Sequence, residues 1–304
     1  MISFKQLSYA LAIEKTLHFK KAAEACNVSQ SALSTAITEL EKQLDVTIFE
    51  RNNKQVLITD KGELILKKAR RVKLELDELL QIAQVDNQEF ANPMKIGVIP
   101  TIGPYLLPKV LPAVRAQHPD FKLRIMEEQS HKLVEMVRTG DIDAAILALP
   151  FPIEGLMSFE FWEEDFYWIC HKDEYLPSMQ EITSDELEID KLMLLKDGHC
   201  LKQHALAACS LQNKTQESDF DSTTLYTLIQ MVASKLGSTL VPHMALDQLI
   251  CNESEIRAVH LNEPGPHRSI ALVIRPNYVR TNELTILMNI FKSQLSNSCS
   301  LAAE

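Results

Sequence analysis

The sequence contains no uninterrupted apolar run approaching the roughly 18 residues that a membrane-spanning helix requires. It also begins without a charged leader followed by an apolar core and a small-residue cleavage site, so we expect a cytoplasmic protein with no membrane partner. No P-loop, GxGxxG, GxSxG or HExxH motif occurs, which disfavours nucleotide-dependent and hydrolytic enzymes. We therefore predict a protein without enzymatic activity and without a cofactor.

The composition is that of an ordinary soluble globular protein. The chain has 304 residues, of which 46% are hydrophobic and 24% charged, enough for two or three domains with sizeable cores. Its net charge of −10 is unevenly distributed: residues 1–73 carry 13 Lys and Arg against 8 Asp and Glu, whereas the remainder carries about −15. This asymmetry is expected when a basic reader of nucleic acid is joined to an acidic sensor.

The basic N-terminal part is patterned as a helix-turn-helix. Apolar spacing predicts a first helix around Leu7–Ile13, a short helix around 20–25, and a third helix with Ser29 as its N-cap. One face of the third helix is an apolar stripe, and the other carries short polar side chains suited to base edges and phosphates. We predict that this helix enters the major groove of a double-stranded DNA operator, with contacts from Ser29, Gln30, Ser31, Ser34, Thr35 and Thr38.

Two short segments after the third helix, 46–50 and 56–59, are predicted to be strands of a wing. Arg51 and Lys54, near the turn between them, are candidate phosphate contacts. The first domain is therefore predicted to be a winged helix-turn-helix spanning residues 1–59.

A long linker helix is predicted from Asp60 to about Val85, because its apolar residues alternate by four and three through nearly three heptads. The seam could pack only on its own domain. We favour a dimerisation helix, because reading both halves of a palindromic operator needs a dimer. The helix and a polar hinge occupy residues 60–91.

Alternating strand and helix patterns after Met94 predict an α/β regulatory domain over residues 92–304, with mostly parallel sheets in two lobes. The whole chain is thus an α+β multidomain protein. We place lobe I at about 92–164 plus 268–304 and lobe II at about 165–267. Ligands of such sheets bind beyond the carboxyl ends of strands, which points to 100–103 and 129–131.

Two of the six cysteines, Cys200 and Cys209, flank a segment rich in helix-tolerant residues. On a regular helix their α-carbons are about 13.5 Å apart along the axis, whereas a disulfide needs them within about 7 Å. Bonding them would therefore unwind the helix, as a redox switch requires. The start of a helix, with His199 and Lys202 nearby, is expected to lower the pKa of the Cys200 thiol. The competing interpretation is a buried, unreactive thiol.

A metal site is a second interpretation of the same segment. Cys200 and His204 are four residues apart on one helical face, a common ligand spacing, and His199 is adjacent. Cys209 would face the other side, and no local Cys, His or carboxylate cluster completes four ligands. We therefore predict no metal site.

The N-terminal pattern resembles the signature of the LysR-type transcriptional regulators. The matching stretches are 22–23, 28–34, 37, 40–41, 44, 49–51 and 59–63. The sequence departs from that signature at Asp45, where the family usually has glycine, and at Ser31, where it often has proline. The resemblance implies a periplasmic-binding-protein-like regulatory domain after the linker helix.

Within that family, residues 96–108 and 197–201 together with Cys209 resemble the OxyR hydrogen-peroxide sensors. The resemblance implies that hydrogen peroxide oxidises Cys200 to a sulfenic acid, which Cys209 resolves as a disulfide, and that antioxidant genes are controlled in response. It also implies a homodimer or homotetramer with RNA polymerase as a partner. The implied peroxide pocket contains Thr101, Ser130 where threonine is usual, His199 and Arg268.

Two other functions stay open from the residues. One is a metabolite-sensing regulator of the same fold that binds a small anion beyond Thr101 and Ser130. The other is a thiol peroxidase, against which the helix-turn-helix pattern argues.

Overall fold

The computed structural model describes residues 1–52, 55–83, 89–176, 180–196, 198–209, 224–250 and 253–301. The chain divides into two compact units, 1–86 and 87–304. No helix within the described ranges combines the length and apolar character needed to cross a membrane.

The first unit is a three-helix domain with a β-hairpin and a long final helix. Its elements are α1 (Phe4–Thr16), α2 (Phe19–Ala25), α3 (Gln30–Leu44), β1 (Phe49–Asn52), β2 (Gln55–Ile58) and α4 (Asp60–Ala83). The predicted start of α3 is confirmed, because the Ser29 hydroxyl accepts a hydrogen bond from the N–H of Ala32 at 3.2 Å. The hairpin pairs β1 antiparallel with β2, so the predicted wing is present.

The first strand of the wing was predicted three residues too early. The Glu41 carboxylate accepts hydrogen bonds from the backbone N–H groups of Ile48 and Phe49, at 2.7 and 3.0 Å. These bonds fasten the connection to the end of α3, so sheet pairing begins only at Phe49.

Asp45 ends α3 in the left-handed conformation, with φ of 52°. Because a side chain is strained there and glycine is not, Asp45→Gly should stabilise the first unit by about 1 kcal/mol. Native-state hydrogen exchange of the α1 and α3 amides would measure the gain. Asp45→Ala is the matched control, because it retains Cβ and should give no gain. Equal protection in the two variants would contradict the strain argument.

The linker helix was predicted to reach about Val85, and α4 ends at Ala83, with residues 84–88 outside the described ranges. The apolar seam predicted for this helix is buried near its start and exposed further along. Ala69 is buried in the first unit, whereas Val72 is 49% exposed and Leu79 59% exposed. These exposed apolar side chains are available to a second copy, and the dimer stays a prediction.

The second unit contains two five-stranded sheets and their covering helices. Its first half comprises β3 (Met94–Val98), α5 (Gly103–Gln117), β4 (Leu123–Glu127), α6 (Ser130–Thr139), β5 (Ala144–Leu149), β6 (Met157–Glu164) and β7 (Phe166–His171). Its second half comprises β8 (Glu181–Ile182), β9 (Leu192–Met193), α7 (Cys200–Ala208), α8 (Leu225–Ala233), β10 (Ser238–Pro242), α9 (Leu246–Ile250), β11 (Ile256–Leu261), β12 (Arg268–Ile274) and α10 (Thr281–Leu301).

The prediction of mostly parallel sheets is wrong. One sheet has the order β4-β3-β5-β12-β6 and the other β8-β11-β7-β10-β9. In the first, β12 lies antiparallel to both β5 and β6; in the second, β7 lies antiparallel to both β10 and β11. The reversed strands are those by which the chain passes between the sheets: β7 follows β6 after the single residue Asp165, and β12 returns to the first sheet.

Candidate functional site

Four residues predicted to act together converge in the second unit. Thr101 lies beyond the carboxyl end of β3, Ser130 begins α6, Cys200 begins α7 and Arg268 begins β12. All four are almost fully buried. The Ser130 hydroxyl and the backbone N–H of Ala148 on β5 hydrogen-bond to the Cys200 sulfur, and the Arg268 charge acts on the same thiol. The site therefore lies where the start of α7 meets the first sheet.

Arg268 is fixed on its two sides by Thr101 and by a carboxylate. Its Nη2 donates to the Thr101 carbonyl at 3.3 Å, and its Nη1 lies 3.5 Å from the Thr101 hydroxyl. Its Nε and Nη2 lie 2.8 and 2.7 Å from Oε1 of Glu164 on β6, whose Oε2 accepts the Met244 N–H at 2.7 Å. The guanidinium is thus fully buried and held by an equally buried partner.

Sequence reasoning missed Glu164. It stands in the acidic run Glu163-Glu164-Asp165, which in the sequence is indistinguishable from a solvated surface segment. Its partner Arg268 is 104 residues away. No local pattern could have identified this carboxylate as the buried counter-charge of the site.

The expected lowering of the Cys200 pKa is wrong for this reduced state. Burial raises the pKa of the thiol, and the hydrogen bond from Ser130 and the charge of Arg268 only oppose that effect. His199 is the N-cap of α7, and burial lowers its pKa, so the ring adds no positive charge at neutral pH. The raised pKa disfavours the thiolate, and the groups around the sulfur offset only part of that effect.

Cys209 lies at the opposite end of α7, as its C-cap. Its thiol is buried, and burial, reinforced by Glu263, raises its pKa to about 12. The segment between the two cysteines is helical, as the geometric argument supposed; the helix spans nine residues, and both cysteines are free thiols. Because the two α-carbons are about 13.5 Å apart along such a helix, a bond between them requires α7 to unwind.

His204, the other residue of the four-residue spacing, makes a hydrogen bond to the segment after β5. Its Nε2 lies 2.9 Å from the carbonyl oxygen of Pro150, just after β5. Across the described ranges, no three His, Cys, Asp or Glu side chains are grouped as metal ligands. The four-residue spacing instead places two contacts of α7 against the end of one strand.

The candidate nucleic-acid interface is the outer face of α3. Ser29, Gln30, Ser31, Thr35 and Thr38 are exposed and Ser34 is half-buried. The opposite face, with Leu33, Ile37 and Leu40, is fully buried. Lys54 and the side chain of Arg51 lie outside the described residues. Base and phosphate contacts stay predictions.

Both units match family models over most of their length. Residues 4–63 match the bacterial regulatory helix-turn-helix protein, lysR family, and residues 87–296 match the LysR substrate binding domain.

Full-length relatives and a solved structure extend the match. The transcriptional regulator EstR of Acinetobacter baylyi is 34% identical over 95% of this chain and 96% of its own. The hydrogen peroxide-inducible genes activator of Haemophilus influenzae is 35% identical over 90% of this chain and 91% of its own. The structure of full-length OxyR from Pseudomonas aeruginosa superimposes with a TM-score of 0.81 at 32% identity, covering 96% of this chain and 95% of that one.

Proposed function

Because this chain belongs to the LysR family of bacterial transcriptional regulators, we propose that it senses hydrogen peroxide through a reversible Cys200–Cys209 disulfide and thereby controls oxidative-stress genes. The observation that carries the proposal is the position of the two thiols. They occupy opposite ends of one nine-residue helix, and the first of them is surrounded by Ser130, Ala148 and Arg268. The peroxide-inducible activators among the relatives support the choice of oxidant.

The proposed chemistry consumes one peroxide and two thiols. The Cys200 thiolate attacks one peroxide oxygen; an S–O bond forms, the O–O bond breaks, and the departing hydroxide takes up a proton to become water. The Cys209 thiolate then attacks the sulfenic sulfur, forming the S–S bond and releasing a second hydroxide that is protonated to water. The donors from Ser130, Ala148 and Arg268 stabilise the negative charge that moves during the first step.

The proposed output is a change in how the regulatory domains of the oligomer pack. Unwinding α7 removes its contacts with α6 and β5, which alters the surface around them. In a homodimer or homotetramer this would change the spacing of the two α3 helices on DNA, and with it the half-sites that can be occupied together. We also propose that RNA polymerase at the promoter is a partner of the protein, and that the protein acts in the cytoplasm.

Peptide mapping after one equivalent of hydrogen peroxide tests the proposal. The intact mass should fall by two hydrogen atoms per chain, and digestion should yield one linked peptide pair containing Cys200 and Cys209. Unchanged thiols, or a disulfide that leaves out Cys200, would overturn the proposal.

A metabolite-sensing regulator is the second candidate. EstR, whose name does not refer to peroxide, is as similar to this chain as the peroxide-inducible activator is. A small anion would then bind beyond Thr101 and Ser130. Isothermal titration with candidate carboxylates, set beside thiol counting before and after peroxide, separates the two functions.

We also propose that the protein acts without catalytic turnover. Each oxidation would set the switch once, and the protein would remain bound to its operator. Steady consumption of peroxide over many equivalents in the presence of a thiol reductant, with no operator binding, would instead identify a thiol peroxidase.

A further inference from the structure

His204 is an almost completely buried histidine with only half of its hydrogen-bonding capacity used. It lies on α7, one turn after Cys200, and is 2% exposed. Its Nε2 lies 2.9 Å from the Pro150 carbonyl oxygen, whereas its buried Nδ1 has no hydrogen-bond partner within the described part of the chain. We therefore ask what the bond between His204 and Pro150 does.

The Pro150 bond fixes the tautomer of the neutral ring. A carbonyl oxygen can only accept, so Nε2 carries the hydrogen and Nδ1 is bare in the neutral form. A proton on Nδ1 would create a buried charged donor without an acceptor. Burial lowers the His204 pKa, the bond to Pro150 partly opposes that shift, and the charge of Arg268 on β12 lowers the pKa further. Cys200 is the titratable residue one turn earlier, and the opposing segment 144–150 has no ionisable side chain.

Two contacts hold α7 against the end of β5. One joins the Cys200 sulfur to the Ala148 N–H, and the other joins His204 to Pro150. Oxidation of Cys200 changes the first contact directly. The second does not involve the sulfur, so oxidation leaves its atoms unaltered, and while it lasts it opposes the unwinding that brings Cys209 within reach.

We propose that neutral His204 is a positioning residue that holds α7 on the segment after β5, so that removing or protonating its ring speeds closure of the Cys200–Cys209 disulfide without changing the attack on peroxide. The inference rests on the proposed function above. The proposed role of His204 makes the second step, closure of the disulfide, sensitive to acid and leaves the first step, attack on peroxide, unchanged.

Three full-length proteins test the role: wild type, His204→Ala and His204→Gln. The glutamine amide nitrogen is as many bonds from Cβ as Nε2 is, so it keeps a donor for Pro150 but does not titrate. Sulfenic acid formation is followed by rapid quenching with dimedone, and closure by acid quenching, alkylation and intact mass. His204→Ala should close roughly three- to tenfold faster than wild type at about pH 7.5, the range that one net hydrogen bond is worth.

The pH dependence of the closure rate distinguishes this role from a purely structural one, which would not change with pH. Acid lowers the thiolate fraction in every variant, so the quantity compared is the closure rate of wild type divided by that of His204→Gln. This ratio should be about 1 at pH 8 and rise several-fold on acidification below about pH 6.5, as the ring gains its proton. Sulfenic acid formation should agree within about twofold among all three, because His204 is not among the groups that act on the Cys200 thiol.

The outcomes separate the two proposals. If wild type forms no disulfide, the peroxide-sensing function is overturned and the role of His204 with it. If wild type forms the disulfide but the ratio is flat with pH, only the His204 inference is overturned. Should His204→Ala fail to fold, the comparison of wild type with His204→Gln still decides.

Discussion

Replacing Cys200 with serine is expected to abolish oxidation by peroxide, reducing the reaction to the background of the other thiols, a loss of roughly a thousandfold or more. A hydroxyl in the same position is hardly ionised and is a far weaker nucleophile. The substitution is nearly isosteric, and the new hydroxyl can still bond with Ser130, so the fold should persist. Stopped-flow oxidation and DNA footprinting before and after peroxide measure the loss.

Cys170→Ala is the matched control for that experiment. Cys170 is buried in β7, burial raises its pKa to about 12, and its removal should leave peroxide sensing intact. Cys209→Ser should react at the first step but accumulate the sulfenic acid, which then oxidises further. A Cys200→Ser protein whose footprint still shifts after peroxide would contradict the assigned mechanism.

Replacing Arg268 with alanine is expected to lower the free energy of unfolding by about 3–5 kcal/mol. The substitution leaves the Glu164 carboxylate buried without its counter-charge, while Oε2 stays tied to the Met244 N–H. Urea denaturation of the second unit measures the loss. Arg124→Ala is the control, because Arg124 is exposed on β4 and its removal should change stability by less than about 0.5 kcal/mol.

The double variant Glu164→Gln with Arg268→Ala separates the buried charge from the lost side chain. Removing both charges should recover part of the stability, because the uncompensated carboxylate is then absent. Cys200 should nevertheless react more slowly in the double variant, because a charge that favours its thiolate is lost. Equal stability of the single and double variants would show that packing, and not charge, accounts for the loss.

Local chemistry made much of the fold predictable from the sequence. Ser29 indicated the start of α3, because an N-cap residue followed by an apolar stripe of helical spacing is typical of a helix N-terminus. β5 and β7 are short apolar runs of six residues, a pattern that indicates buried strands from the sequence alone. β6 and β11 were not predicted, because each buries only some of its residues and mixes charged with apolar side chains.

The site was predictable only in part, because the burial of its side chains depends on tertiary packing, which the local sequence does not show. The helix-tolerant residues between Cys200 and Cys209 allowed a helix, and the spacing of the two cysteines indicated that a disulfide would unwind such a helix. Burial then reversed the expected direction of the Cys200 pKa shift. The grouping of Thr101 with Arg268, 167 residues apart, could be anticipated from family resemblance and not from local pattern.

The helix that separates the two thiols also sets how long an oxidised molecule would keep its signal. A Cys200–Cys209 disulfide exists only with α7 unwound, so refolding of the helix favours the dithiol. For a two-electron couple, each 1.4 kcal/mol of helix stability raises the reduction potential by about 30 mV. A more stable α7 therefore gives a disulfide that cellular thiols reduce more readily. The response would follow the current supply of peroxide and would fade soon after that supply stops.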